Sequence, residues 1–336
     1  MLERELKLYV PPSGRPDLEA ELRQAGAQTI TLRARYYDTQ DEQLARAGIA
    51  LRLRLEGDQW VQTIKAPGPD ELTRLELNHP CRTPELNLSV YEGTAVAERV
   101  AGLNQPLLMQ YETDIERLVW QDKHPEGVIE FAYDQGVIRS GQHELKVCEL
   151  ELEQVSGSLE RLFALGQNYQ ERYGLILDFR SKSERGNLLS HLAWSATPAT
   201  QASTTQTTLS FAPRPAQNVT LTPDMSLQQA YARHASECLN QIVRNAMPLA
   251  TADTAQTQAR VQAEYTRHMR TGIQNMLTAW KLYSSHVQVD PASAYSNLEQ
   301  YVAPDIQNAD HARALAASTA FQACLLAILK HLLEPV

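Results

Sequence analysis

The sequence predicts an α+β chain, with a β-rich first half, a linker and an all-α second half. Three observations carry this. Short alternating or β-branched runs dominate before residue 155, and a 3.6-residue apolar period replaces them after residue 225. Between the two, Ser195–Asn218 reads SATPATQASTTQTTLSFAPRPAQN, which has three prolines and one charge and too little apolar surface to order itself. The third observation is charge: residues 1–194 carry 22 basic and 31 acidic side chains, residues 221–336 carry 8 and 9. The expected domains are therefore 1–192, a linker over 193–220, and a helical domain over 221–336.

The first strand is Leu2–Leu8. A helix follows at Pro16–Ala25, with Asp17 in its first turn. Strands are expected at Ile30–Tyr37, Ile49–Glu56, Trp60–Lys65 (after a Gly57-Asp58 turn), Thr73–Asn78, Ile115–Trp120, Val128–Tyr133 and Lys146–Gln154. Ser158 reads as the N-cap of a helix ending at Tyr173. Beyond the linker, helices are expected at Ser226–Ala246 (closed by Pro248), Ala255–Ser284 and Asp310–Leu333.

Several function classes are excluded. The net charge of −9 argues against a protein that coats nucleic acid. No run approaches the roughly 20 apolar residues of a spanning helix, and no basic-then-apolar leader opens the chain. The four cysteines lie far apart, which predicts free thiols in a reducing, cytoplasmic compartment. There is no H-E-x-x-H, no G-x-S-x-G elbow and no P-loop, so a phosphate site here must be built from side chains.

Such side chains recur at alternate strand positions, where i, i+2 and i+4 share a face. Glu3, Glu5 and Lys7 share one; so do Arg33 and Arg35, Arg52 and Arg54, Thr63 and Lys65, and Arg74, Glu76 and Asn78. Glu130 and Asp134 share another, as do Glu149, Glu151 and Glu153. One reading is a sheet with a solvated face. The other is a closed barrel with a charged lumen, because carboxylates sit on the first and last strands and cations on the middle ones. Cations in a lumen suit a polyanion, and paired carboxylates suit a divalent cation.

The series Glu3-x-Glu5-x-Lys7, Tyr36-Tyr37-Asp38-Thr39, Leu51-Arg52-Leu53-Arg54, Thr63-Ile64-Lys65, Arg74-x-Glu76, Ile129-Glu130-x-Ala132-x-Asp134-x-Gly136, Glu149-Leu150-Glu151-Leu152-Glu153 and Ser181-Lys182-Ser183-Glu184-Arg185-Gly186 resembles, in this order, the CYTH superfamily of triphosphate tunnel metalloenzymes. The resemblance covers about residues 1–190 and is nearest to bacterial inorganic triphosphatases with a C-terminal CHAD domain. Asn78 departs from it, standing where many relatives carry an acid. The resemblance implies an eight-stranded closed antiparallel barrel with flanking helices. It also implies hydrolysis of inorganic triphosphate with Mg²⁺ or Mn²⁺. Lys7, Arg35, Arg52, Arg54, Lys65, Arg74, Arg117, Lys182 and Arg185 would bind the phosphates. Glu3, Glu5, Glu130, Asp134, Glu149 and Glu151 would hold metal, and Glu3, Glu5 and Lys7 would serve catalysis.

Two other functions stay open: a nucleotide- or thiamine-triphosphate enzyme of the same fold (adenylate cyclase included), needing an aromatic pocket for which Trp60 and Trp120 are the candidates, and a polyphosphate-binding module. Residues 221–336 resemble a shortened CHAD domain. Of its basic row Arg267 and Arg270 remain, while Gln274, Asn275 and Leu277 stand at basic positions. The apolar stripe Leu227, Tyr231, Leu239, Ile242 and Val243 suggests packing or homodimerisation instead. The Tyr36-Tyr37 pair is expected to pack in the barrel.

Overall fold

The computed structural model describes residues 2–195, 211–251, 259–286, 292–302 and 308–333. Eight strands form: β1 (Leu2–Tyr9), β2 (Gln28–Asp38), β3 (Ala50–Glu56), β4 (Gln59–Pro67), β5 (Thr73–Cys81), β6 (Leu108–His124), β7 (Gly127–Ser140) and β8 (His143–Gln154). Each overlaps a strand expected from alternation. The order β5-β4-β3-β2-β6-β7-β8-β1 closes on itself where Leu2 pairs with Leu75 and Glu3 with Arg74. The result is a closed eight-stranded antiparallel barrel, with a two-residue β9 (Ile176–Leu177) added at Leu8 and Tyr9 of β1. A two-residue strand is too short to show any alternation.

Two compact units divide the chain. The first takes residues 2–6 and 19–156, together with the segment from Arg180. In it, Leu51, Ile64 and Ala66 pack under α2 (Gln43–Arg46) and α3 (Ala97–Ala101), which follow α1 (Arg15–Gln24). That fixes the outer face of β3 and β4, so alternate residues point into the lumen. Cross-strand partners share a face: Lys65 with Glu76, Thr63 with Arg52, Arg52 with Tyr36, Arg117 with Asp134, and Asp134 with Glu149 all look inward.

Not all of the lumen is charged. Leu32, Ala34, Tyr36, Tyr111, Ile115, Ile138 and Val147 form a dry cluster closed by Leu189. Tyr36 stacks on Tyr111 at 4.6 Å, so it packs in the barrel as expected. The helix carrying Leu189 is α5 (Lys182–Ser195), which follows α4 (Leu159–Tyr173) and has no apolar period strong enough to announce it. The Tyr-Asp-Thr part of the sequence motif is structural: buried Asp38 accepts backbone hydrogen bonds from Thr39, Leu44 and Ala45, and so caps α2.

The second unit gathers residues 7–18 and 157–179 with the helices α6 (Leu227–Thr251), α7 (Ala259–Tyr283), α8 (Ala292–Glu299), α9 (Ala309–Ala317) and α10 (Thr319–Leu333). Ser158 caps α4 as expected, accepting from the Arg161 amide. Two expectations need correction here. Pro248 lies inside α6, not after it; Thr251 Oγ1 donates to Met247 O at 2.9 Å, and Leu249 is buried, which together hold the last turn. The single helix expected over Asp310–Leu333 breaks at Ser318. There the backbone is extended, the Ser318 hydroxyl accepts from Phe321 N, and the Gln322 side chain donates to Ala316 O at 2.7 Å. The linker reading falls mostly on residues 196–210, outside the described residues. Its last part, 211–218, has no helix or strand yet is fastened: Asn245 bonds both backbone groups of Arg214, whose guanidinium pairs with Glu237 at 2.7 Å.

Helices α6 and α7 come close at Gly272, where a Cβ would stand 2.8 Å from Ile242 Cγ1. Of the apolar stripe, Tyr231, Leu239, Ile242 and Val243 are buried in this unit, and Leu227 is exposed. Among the described residues no single helix is long and apolar enough to cross a membrane.

Candidate active site

The inner face holds two ionic groups. The first centres on Asp134, Glu149 and Glu151, brought together because Asp134 is cross-strand to Glu149 and Ala132 to Glu151. One oxygen from each lies within 4.8 Å of the others. Arg117 grips Asp134 through two hydrogen bonds of 2.6 and 2.7 Å and reaches Glu151 at 2.8 Å. Lys182 contacts Asp134 at 2.7 Å, Glu151 at 2.8 Å, and also Glu149. Arg185 pairs with Glu149. Burial raises the Asp134 carboxyl, but Arg117 and Lys182 more than offset this and hold it below the usual range. Burial likewise opposes the charge on Lys182, and the three carboxylates override it, keeping the ammonium protonated.

Lys182 and Arg185 come from the first turns of α5. Ser181 Oγ accepts from Glu184 N at 3.0 Å and starts that helix. Gly186 lets α5 lie against the barrel wall: a Cβ there would stand 2.2 Å from the Tyr111 ring.

The second group joins β1, β3, β4 and β5. Lys65 bridges Glu3 at 2.8 Å and Glu76 at 2.7 Å, and Asn78 donates to Glu76 at 2.9 Å. Burial and the Glu76 hydrogen bond push Glu3 up to about 9, while Glu76 falls below its ordinary value. The two carboxyls thus share a proton, which Glu3 keeps at neutral pH. Arg52 lies beside Glu76, at 3.9 Å, and 3.3 Å from the Tyr36 hydroxyl, and its Nε is buried without a hydrogen-bond partner. Such an orphaned donor is costly unless something else accepts from it.

Other expected residues join this inner face. Glu5 and Lys7 follow Glu3 on β1, and Lys7 is buried. Arg54 pairs with Glu56, and Arg74 bonds the carbonyl of Thr73 at 3.0 Å. Glu130 is cross-strand to Glu153, and that neighbour together with burial raises Glu153. Arg35 does not join them. It pairs with Leu53 on the outer face, is exposed, and lies over Trp60 at 5.6 Å, because β2 turns Ala34 and Tyr36 inward instead. Trp60 and Trp120 also face outward, so neither lines the lumen. Glu76 and Glu153 were missed as site residues, although their parity with Arg74 and Glu151 was the available signal.

The carboxylate trio offers hard oxygen donors, which suit Mg²⁺ or Mn²⁺, and its donor chemistry fits such an ion. The inner face as a whole sets cations and carboxylates against one another in two paired clusters. The chain belongs to the CYTH domain family, whose model matches residues 1–186. It is 29% identical over 198 residues to an inorganic triphosphatase of Haemophilus influenzae, covering 56% of this chain and 54% of that protein. The chain thus matches about half the length of that curated relative. Among solved structures, it is similar to a candidate adenylate cyclase of Bacillus halodurans (TM-score 0.41, 20% identity, 55% of this chain and 96% of that one). It is similar to the same degree to HpAC1 of Hippeastrum, a candidate adenylyl cyclase with a dominant triphosphatase activity (TM-score 0.41, 20% identity, 55% and 96%).

Proposed function

We propose that this protein hydrolyses inorganic triphosphate to pyrophosphate and phosphate within the barrel, with Mg²⁺ or Mn²⁺. The observation that carries the reading is the convergence on one inner face of Arg52, Arg54, Lys65, Arg74, Arg117, Lys182 and Arg185, with the Arg52 Nε donor buried and unanswered. The named triphosphatase relative supports it.

Arginines bind the chain of phosphates through paired N–H groups and the lysines as point charges. Asp134, Glu149 and Glu151 would hold a divalent cation, with Glu3, Glu5 and Glu130 completing the acidic lining; bound there, it neutralises charge on the phosphate oxygens. Glu5 orders the attacking water, since Glu3 keeps its proton. Lys7 spans the carboxylates of β1 and the substrate. As the water oxygen bonds to a terminal phosphorus and gives its proton to Glu5, the bridging P–O bond breaks and pyrophosphate leaves, its charge met by the fixed cations.

The outward positions of Trp60 and Trp120 favour an inorganic substrate, since a nucleobase would find neither ring in the lumen. The catalytic module is assigned to residues 1–192, and residues 221–336 to a packing module with weak affinity for long polyphosphate. A phosphate-release panel with tripolyphosphate, ATP and thiamine triphosphate, each with Mg²⁺ and Mn²⁺, tests this. Tripolyphosphate should be turned over fastest; a preference for either organic substrate would replace the reading.

A further inference from the structure

The trio best placed to take a divalent cation is already neutralised. Three carboxylates, Asp134, Glu149 and Glu151, face three cations, Arg117, Lys182 and Arg185. Of the three cations, Lys182 is distinctive. Its single Nζ touches all three carboxylates, at 2.7 Å from Asp134 and 2.8 Å from Glu151 with Glu149 also in contact, which is the place a bridging ion would take. Arg117 is fixed by a planar two-point grip on Asp134, whereas a lysine carries a compact charge on a flexible four-carbon stem.

We propose that Lys182 is a tethered counter-ion that closes the Asp134–Glu149–Glu151 trio to a divalent cation until a triphosphate draws its ammonium away. The inference rests on the triphosphate reading above. A divalent cation arriving alone meets a balanced cluster and must displace a buried ammonium that then has no anion to pair with, which is unfavourable. A triphosphate supplies that anion. The ammonium moves onto phosphate oxygens, the trio regains its negative charge, and the cation binds where both anions meet it. Cation and triphosphate therefore bind with positive coupling, and the coupling is reciprocal. Free metal does not accumulate in the empty barrel.

The test is Mn²⁺ binding to the full chain, followed by calorimetry and by electron paramagnetic resonance of free Mn²⁺, with and without the non-hydrolysable analogue imidotriphosphate. For the unaltered chain, Mn²⁺ affinity should rise about tenfold or more with the analogue, and analogue affinity should rise by the same factor with Mn²⁺. In Lys182→Ala, Mn²⁺ affinity without analogue should rise about tenfold, and the coupling should shrink to roughly threefold or less. Arg139→Ala, which removes an outward-facing cation that pairs with Glu144, should leave analogue-free Mn²⁺ affinity unchanged; a tenfold rise there would overturn the assignment to Lys182. Equal Mn²⁺ affinity with and without analogue in the unaltered chain overturns the inference, even if Lys182→Ala fails to fold. So does full coupling in a folded Lys182→Ala. Absence of tripolyphosphate hydrolysis would instead remove the functional reading beneath it.

Discussion

The barrel unit and the helical unit treat charge in opposite ways. Inside the barrel, Asp134, Glu149 and Arg185 are almost wholly buried and held in short ion pairs. In the helical unit the interior is Tyr231, Leu239, Ile242, Met269, Ile273 and Leu325; Arg214 and Glu237 pair half-buried, and the pairs Arg267–Glu264 and Lys281–Glu299 are largely exposed. An apolar interior is the cheaper way to hold a fold, since replacing a buried ion pair by packed hydrophobic side chains often stabilises by about 1–4 kcal/mol. Packing stability therefore accounts for the helical interior but not for the charged lumen.

The largest effect expected from that contrast is on catalysis. Glu5→Gln removes one charge from the lumen and no volume, so the protein should stay folded by circular dichroism. Tripolyphosphate turnover should fall by about 100-fold or more, the scale for losing one electrostatic partner of the reaction. A folded, fully active variant would mean that β1 only lines the barrel. Next comes substrate affinity. Arg52→Ala should weaken tripolyphosphate binding by about 1.5–3 kcal/mol, the range for a charge-assisted contact. Arg267→Ala, an exposed side chain on α7, should change it by less than about 0.5 kcal/mol. Equal losses would erase the division of labour between the units.

In the helical unit the expected response is in stability alone. Gly272→Ala places a methyl group 2.8 Å from Ile242 and should lower resistance to urea by about 1–3 kcal/mol, with kcat unchanged. A change in kcat without loss of stability would show that the helices act on the reaction.

Much of this contrast was legible in the sequence, but not all. Alternation gave every barrel strand, because one strand face must be apolar for the barrel to pack under α2 and α3. It could not say which parity faces inward on β2, where both Arg33-x-Arg35 and Ala34-x-Tyr36 alternate; the pairing of Tyr36 with Arg52 decided that, and Arg35 went outward. Lys182 and Arg185 were legible only as part of a family motif, since α5 shows little apolar periodicity and Gly186 looks like a helix breaker. Among the helices, periodicity ran through Ser318 because both flanking segments are rich in Ala and Leu. A serine N-cap three residues before Phe321 was the overlooked signal.

A smaller effect concerns pH. Glu3 is held near 9 by burial and by Glu76, far above the ordinary carboxyl of an unfolded chain. A raised carboxyl contributes stability that is complete below its unfolded value and is lost as pH rises through the folded one. The melting temperature of the metal-free protein should therefore fall between about pH 4.5 and pH 9. It should fall less in Glu3→Gln, which has no proton to lose. Parallel curves for the two proteins would show that Glu3 is ionised throughout.

The central claim is that the charged lumen cleaves a linear inorganic triphosphate. Phosphorus-31 resonance of tripolyphosphate incubated with the full chain and Mg²⁺ or Mn²⁺ reads it directly. The account predicts loss of the terminal and middle phosphorus signals together, with pyrophosphate and phosphate appearing in equal molar amounts. Tripolyphosphate that persists unchanged beside folded protein, with either metal, would contradict it.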